Sequence, residues 1–297
     1  MTTELTADIG TVAANDAPFS RVCALTPLPA SAPDSGRYLG TIDGIWTIGT
    51  KLHGGTMVAA SAAAATNWLR SSEAAPTGMA PIAASSDFLG APDPGEVEYE
   101  VRVRKRGRQI CLADVDLVQG GRVMVRTALT FGRLDDADPI HISHDVDMPV
   151  QPSEDAFSYE PGTPMGEVVH VGQGAEAYLD SEWARFARGE TGEPRLRMWI
   201  RPRAADAQDP DVAMFFAMMS ADMSPPVPMN LGRVGWAPTV QLTTYLRRRP
   251  APGWLRIIAS AHEVGERIFD EDQTVIDSTG AVVAQSRQLA FVPQRWE

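Results

Sequence analysis

PIAASSDFLGAPDPGEVEYEVRVRKRGRQICLADVDLVQGGRVMVRTALTF, residues 81–131, decides the fold, because the chain repeats its pattern between Pro238 and Phe291. The first copy reads as a strand over residues 82–89, a turn at Pro94-Gly95, a strand to Arg106, a hairpin at Gly107, a strand to Val118, a turn at Gly120-Gly121 and a last strand. Val97, Tyr99, Val101 and Val103 alternate with Glu98, Glu100, Arg102 and Arg104, the period of two expected when one sheet face is buried and the other is wet. Turn residues set the register of the second copy. Pro81 to Pro238 is 157 residues, Pro94 to Pro252 and Gly107 to Gly265 are 158, Gly121 to Gly280 is 159 and Phe131 to Phe291 is 160. A drift of three needs only single-residue changes in loops.

What precedes each copy extends the pattern. Residues 42–48 have strand-like composition, and His53-Gly54-Gly55 opens an Ala-rich segment, 56–69, of high helix propensity. The second half has extended segments at 167–171, 175–186 and 195–202, then an apolar helix from about Asp211 to Asp222. Each unit therefore reads as one central helix followed by an antiparallel meander. Hairpin-length turns cannot make parallel crossovers, so the class is α+β. Residues 135–164, rich in Pro, Asp, Ser and His and without periodicity, read as a linker. The expected division is a first unit over 17–135, a linker over 136–164 and a second unit over 165–297.

Composition narrows the function classes. The chain has 297 residues, room for roughly two domains, and 44% hydrophobic residues suffice for a core in each. With 26 basic against 38 acidic residues, net −12, bulk attraction to nucleic acid or an anionic membrane is disfavoured, and an anionic ligand must be held by local arginines. Cys23 and Cys111 are too few for a disulfide framework or a zinc cluster, which points to a reducing compartment. No apolar run reaches the roughly 18 residues of a membrane span, and the first 17 residues lack the basic and apolar regions of a signal peptide. The expectation is a soluble, cytoplasmic protein with no metal and no cofactor.

A helix announced by His-Gly-Gly, followed by four antiparallel strands and then a second such unit, resembles the acyl-CoA thioesterase II (TesB-like) family, whose fold is a tandem, or double, hotdog: two antiparallel sheets, each wrapped around a central helix. The similarity covers about Phe19 to Pro293. Its most specific parts are Ser220-Ala221-Asp222, Ala237-Pro238-Thr239 and Ser286-Arg287-Gln288. The resemblance implies an acyl-CoA substrate, hydrolysis to fatty acid and CoA, and a homo-oligomer. It also implies that Asp222, Thr239 and Gln288 bind and activate the hydrolytic water.

The internal repeat tests this from within the chain. In register, Thr239 faces Ile82, Gln288 faces Ala128 and Asp222 faces Ala65, while His53-Gly54-Gly55 faces Pro210-Asp211-Val212. The polar trio and the glycine pair are thus each present once, as a single composite site between paired units requires. Each part has a chemical reason. Asp222 in a partly apolar site would be a better base than a free carboxylate, and Thr239 and Gln288 can hold water in line. Backbone N–H groups at the start of the helix after Gly54-Gly55 would meet the developing oxyanion, glycine permitting close approach. Taken singly, Asp222 could simply end a helix, Thr239 fit any strand and Gln288 an edge.

Other motifs are set aside. Gly172-Gln173-Gly174 imitates a dinucleotide-binding loop, but a strand-like segment follows and no βαβ unit is evident. His141-Ile142-Ser143-His144 lacks the other ligands of a metal site, and no Gly-x-Ser-x-Gly elbow is present. Asp136-Ala137-Asp138-Pro139-Ile140-His141 resembles the Asp-x-Asn-Pro-x-His motif of hotdog enoyl-CoA hydratases, but it follows the strands instead of preceding the helix, and Asp138 replaces Asn. Arg102, Arg104, Lys105, Arg106 and Arg108 read as a wet sheet face. Arg247 and Arg248, in the run before Pro250, are the candidates for the CoA phosphates, because they follow the strand that carries Thr239. Met214, Met218, Met219, Met223 and Met229 read as core packing, or as the lining of an acyl tunnel. The competing functions are a non-catalytic acyl-CoA binding protein and an enoyl-CoA hydratase.

Overall fold

The computed structural model describes residues 16–30, 32–71, 76–142 and 147–294. A short helix α1 (Pro18–Cys23) precedes β1 (Thr26–Leu28), β2 (Ser35–Ile42), the two-residue strands β3 (Thr47–Ile48) and β4 (Lys51–Leu52), and the long helix α2 (Gly54–Ser71). Next come β5 (Ala80–Phe88), β6 (Gly95–Arg106), β7 (Cys111–Gln119) and β8 (Arg122–Gly132). The second half runs β9 (Phe157–Ser158), β10 (Ala175–Leu179), β11 (Arg195–Pro202), α3 (Pro210–Ser220), β12 (Thr239–Leu246), β13 (Leu255–Ser260), β14 (Ile268–Ile276) and β15 (Val282–Phe291).

Thirteen strands form one antiparallel sheet in the order β1-β2-β6-β7-β8-β5-β12-β15-β14-β13-β11-β10-β9. The halves join where β5 pairs with β12, from Gln241 opposite Asp87 to Tyr245 opposite Ala83. A Ser85–Thr243 hydroxyl bond of 2.9 Å crosses that seam. Outward from it the order is β5-β8-β7-β6-β2 on one side and β12-β15-β14-β13-β11 on the other. This corrects the four-strand meander: only β6-β7-β8 and β13-β14-β15 are meanders, and the strand after each helix pairs with the last strand of its half. Residues 89–94 explain why. The N–H groups of Leu89 and Gly90 continue to bond the Met124 carbonyl on β8. Pro92 and Pro94 then supply no N–H to a ladder, so the chain leaves the sheet and crosses to β6.

The two long helices pack on each other. α2 also packs on β5, β6, β7 and β8, and α3 on β11, β12, β13 and β15. Ala59, Ala60, Ala62, Ala63, Ala64 and Ala65 of α2 are all buried. A helix apolar on every side must be covered on every side, and small side chains allow the sheet and α3 to approach closely. The start of α3 is capped by Asp209, whose carboxylate accepts from the Asp211 N–H at 2.8 Å, with Pro210 in the first turn. Fully buried Asp206 accepts from the N–H groups of Phe19 and Ser20, which ties α1 to the segment before α3.

Three local readings change. Residues 42–48 are not one strand, because Asp43 accepts from the Ile45 N–H and caps a 3₁₀ turn. Residues 167–171 run into a 3₁₀ turn at His170–Gln173. The strand expected over 175–186 stops at Leu179, where Asp180 accepts from the Glu182 N–H and turns the chain. The glycines of Gly172-Gln173-Gly174 serve packing: a Cβ on Gly172 would lie 1.9 Å from the Tyr159 carbonyl oxygen, and one on Gly174 would lie 2.6 Å from the Trp46 ring. Within the stretch expected to be a linker, Asp136, Asp138 and His141 are exposed, and His144 lies outside the described residues. Within the same stretch, Met148 is buried against Trp199 and Trp254.

Candidate active site

α2 begins where α3 ends. Ser220 is the last residue of α3, the Asp222 N–H bonds the Met219 carbonyl at 3.1 Å, and Pro225 and Pro226 prevent the helix from continuing. Asp222 is thereby turned toward the first residues of α2, with 7% of its side chain exposed. Burial raises its pKa above the usual aspartate range, and nearby His53 and the Gly55 N–H, which donates to the carboxylate, oppose that rise.

His53 joins the two helix ends. Its Nδ1 accepts from the Thr56 N–H at 3.3 Å and its Nε2 donates to the Asp222 carbonyl oxygen at 2.9 Å. A backbone N–H can only donate and a carbonyl can only accept, so the ring is held as the Nε2–H tautomer with both nitrogens engaged. His53 thus caps α2 and fixes Asp222, whose Oδ2 is 3.7 Å from Nε2.

The glycine pair divides its work. A Cβ on Gly55 would stand 2.4 Å from the Met219 carbonyl oxygen and 2.9 Å from the Asp222 Cβ. Gly55 therefore lets the two helices touch, and it lies behind the site, not on its surface. Gly54 lines the cavity, with the position of its missing Cβ 2.6 Å from Asp222 Oδ2 and 3.2 Å from Phe88. Since Gly55 and Thr56 direct their N–H groups to Asp222 and His53, the Gly54 N–H remains as the first-turn donor of a residue that lines the cavity.

Thr239 and Gln288 complete the polar wall. A register shift between Thr239 and Gln241 in the β12–β15 ladder marks a bulge. The bulge turns Thr239 to the same face as buried Leu242 and Thr244. The Thr239 hydroxyl donates to Gln288 Oε1 at 2.8 Å, and Gln288 is buried. Asp222, Thr239, Gln288 and Gly54 line one cavity of about 350 Å³, whose other walls include Met57, Phe88, Met223, Met229, Trp236 and Phe269. Met214, Met218 and Met219 are core instead.

Two expected residues lie elsewhere. Arg247 and Arg248 follow the far end of β12 from Thr239 and do not line the cavity; the Arg247 Nε bonds Gln285 at 2.9 Å. The cation among the lining residues is Lys51, 3.2 Å from Asp93.

The sequence reading missed Glu271. It is fully buried on β14, opposite Gln288. Burial pushes its carboxyl up to about 8, against the bonds it accepts from the Val227 N–H, Gln273 and Gln288, and the negative charge of Asp222 adds to the rise. Its signal was the alternation Phe269, Glu271, Gln273, Val275, which places two polar side chains on the buried face of a strand.

The comparisons with known proteins agree with this architecture. A model of the acyl-CoA thioesterase N-terminal domain matches residues 42–132, and a model of the acyl-CoA thioesterase C-terminal domain matches residues 147–292. An uncharacterized protein of Mycobacterium tuberculosis strain H37Rv is 38% identical, over 93% of this chain and 98% of its own. Among solved structures, a candidate thioesterase II of Thermobifida fusca superposes with a TM-score of 0.75 at 27% identity, over 94% of this chain and 98% of that one. A hotdog-fold protein of unknown function from Alicyclobacillus acidocaldarius gives 0.70 at 17% identity over the same shares, which speaks for the fold alone. With both domain models matched in order along most of its length, this chain belongs to the acyl-CoA thioesterase II (TesB-like) family.

Proposed function

We propose that the chain is a tandem hotdog hydrolase, with units over 17–135 and 165–297 joined by a linker over 136–164, that cleaves acyl-CoA to a carboxylic acid and free CoA. The observation that carries this is the single polar wall of Asp222, Thr239, Gln288 and Gly54 on an otherwise largely apolar cavity, in a chain of this family.

The acyl chain occupies the apolar part, with its carbonyl at the start of α2. There the Gly54 N–H and the positive end of the helix dipole stabilise the oxyanion. A water held by Asp222 and Thr239 attacks the carbonyl carbon as Asp222 takes its proton. Collapse of the tetrahedral intermediate breaks the C–S bond, and the proton on Asp222 passes to the departing thiolate. The raised pKa of Asp222 favours this exchange, since a stronger base takes the water's proton more readily.

A thiol-release assay over acyl-CoAs of graded length, on wild type and Asp222→Asn, tests the reading. Turnover by wild type and its loss in the variant are expected. Binding of acyl-CoA without turnover by any substrate would make the protein a binder, and hydration of an enoyl-CoA without thiol release would make it a hydratase.

A further inference from the structure

Behind the polar wall sits a carboxyl group that the reaction above does not use. Glu271 faces Gln288 directly across the β14–β15 ladder and is fully buried. Its Oε2 accepts from the Val227 N–H at 2.9 Å, and its Oε1 accepts from Gln273 Nε2 at 2.9 Å. The Gln288 side chain bonds it as well. Glu271 does not line the cavity, so any part it plays in the reaction passes through another residue.

The hydrogen-bond directions identify that residue. A carboxylate surrounded by N–H groups is an acceptor, so Gln288 must present its Nε2 to Glu271. That turns Gln288 Oε1 to Thr239, whose hydroxyl donates to it at 2.8 Å. With its one proton spent, the Thr239 oxygen can only accept from a water in the cavity. Such a water, between Asp222 and Thr239, has an acceptor for each hydrogen and keeps a lone pair for the carbonyl carbon. With the amide reversed, Gln288 Nε2 would donate to Thr239, and the Thr239 hydroxyl would donate to the water, taking one of its two lone pairs and leaving one of its hydrogens without that acceptor, so the water is no longer held in line for attack.

We propose that Glu271, as a carboxylate, is the positioning residue that fixes the direction of the Gln288 amide and so makes Thr239 an acceptor toward the attacking water. This deepens the thioesterase reading and rests on it. A proton on Glu271 would need an acceptor, and Gln288 supplies one by reversing. Turnover is therefore tied to the ionisation of Glu271. Asp222, at the end of α3, is the titratable group whose charge acts on Glu271, and His53 stands next to Asp222; the groups that reach it from β15 and from the segment before Val227 do not titrate.

The test uses two variants of the full chain. Glu271→Gln keeps the reach and loses the acceptor; Glu271→Asp keeps the charge and withdraws it by one methylene. Each is made alone and with Gln288→Ala, and kcat and KM are measured across pH, alongside a crystal structure of Glu271→Gln. The expected fall in kcat is up to about 10²-fold, the cost of about 1 Å of misplacement, with KM unchanged and no further fall when Gln288 is already alanine. Wild-type kcat should gain a limb rising through about pH 8, absent from Glu271→Gln. In the crystal structure the Thr239–Gln288 bond should be reversed or broken.

A purely structural Glu271 would lower kcat equally with and without Gln288, and that result overturns the proposal, as does an unchanged kcat in both variants. If Glu271→Gln does not fold, Glu271→Asp decides by the same non-additivity. If wild type releases no thiol from any acyl-CoA, the thioesterase reading fails separately. The crystal structure then still decides the amide direction, and an intact Thr239 to Gln288 Oε1 bond in Glu271→Gln refutes it.

Discussion

Replacing Glu271 by glutamine also has a calculable effect on stability. A carboxyl moved from 4.5 to about 8 by folding holds its proton more tightly in the native chain than in the unfolded one. The sign follows: its stabilisation is fully present below pH 4.5 and is lost as pH rises through about 8. For that shift the loss is roughly 2 kcal/mol by about pH 6 and close to 5 kcal/mol by about pH 8.5, so roughly 2 to 3 kcal/mol disappears between them. Glutamine does not titrate, and the other groups that do, Asp222 among them, contribute to both proteins and largely cancel in the difference. At about 2 °C per kcal/mol for a chain of this size, the wild-type Tm should fall about 5 °C further than that of Glu271→Gln over this interval. Thermal melts followed by circular dichroism at the two pH values measure it. Parallel shifts in the two proteins would show that Glu271 titrates as it does in the unfolded chain, and the burial argument would be refuted.

Asp222→Asn should lower kcat by about 10²- to 10⁴-fold with acyl-CoA binding and Tm nearly retained; Thr239→Val and Gln288→Ala should lose less, which steady-state thiol release and calorimetric titration will show. Gly55→Val should fail to fold or melt far earlier, since its side chain meets the Met219 carbonyl oxygen, and a soluble variant melting like wild type would refute that packing. Gly54→Ala keeps its N–H and should instead fold and lose turnover by up to about 10²-fold, the cost of about 1 Å of misplacement, because its methyl displaces the Asp222 carboxylate. His141→Ala, on an exposed loop, should leave kcat and KM unchanged in the same assay.

Much of this arrangement could be read before any coordinates, because the punctuation is local. Pro94, Gly107 and Gly121 each mark a turn that the chain must make whatever surrounds it, and their counterparts recur at near-constant spacing. The order of the strands was not legible in the same way. Whether β5 pairs with β6 or β8 depends on where residues 89–94 run in space, and no period within β5 reports its neighbour. The glycine pair shows the same limit. That a side chain must be absent at residue 55 is visible in the sequence, but that the obstacle is the Met219 carbonyl, and not a substrate, depends on a contact between residues far apart. Glu271 was legible and passed over. Its parity with Phe269 and Val275 announced a buried carboxyl, and buried carboxyls are rare enough to mark a site.

The pairing of β5 with β12 bears on how the protein behaves at low abundance. Asp222, Thr239 and Gln288 come from one half of the chain and Gly54 from the other. Two separate chains assembling such a site would come apart on dilution, and the specific activity would fall with the enzyme concentration. Here the two contributions share one covalent chain and one hydrogen-bonded seam, so each is present to the other at an effective concentration fixed by the connection and not by expression level. Specific activity should therefore stay constant down to the lowest concentration at which the fold survives, because the proposed site draws on a single molecule.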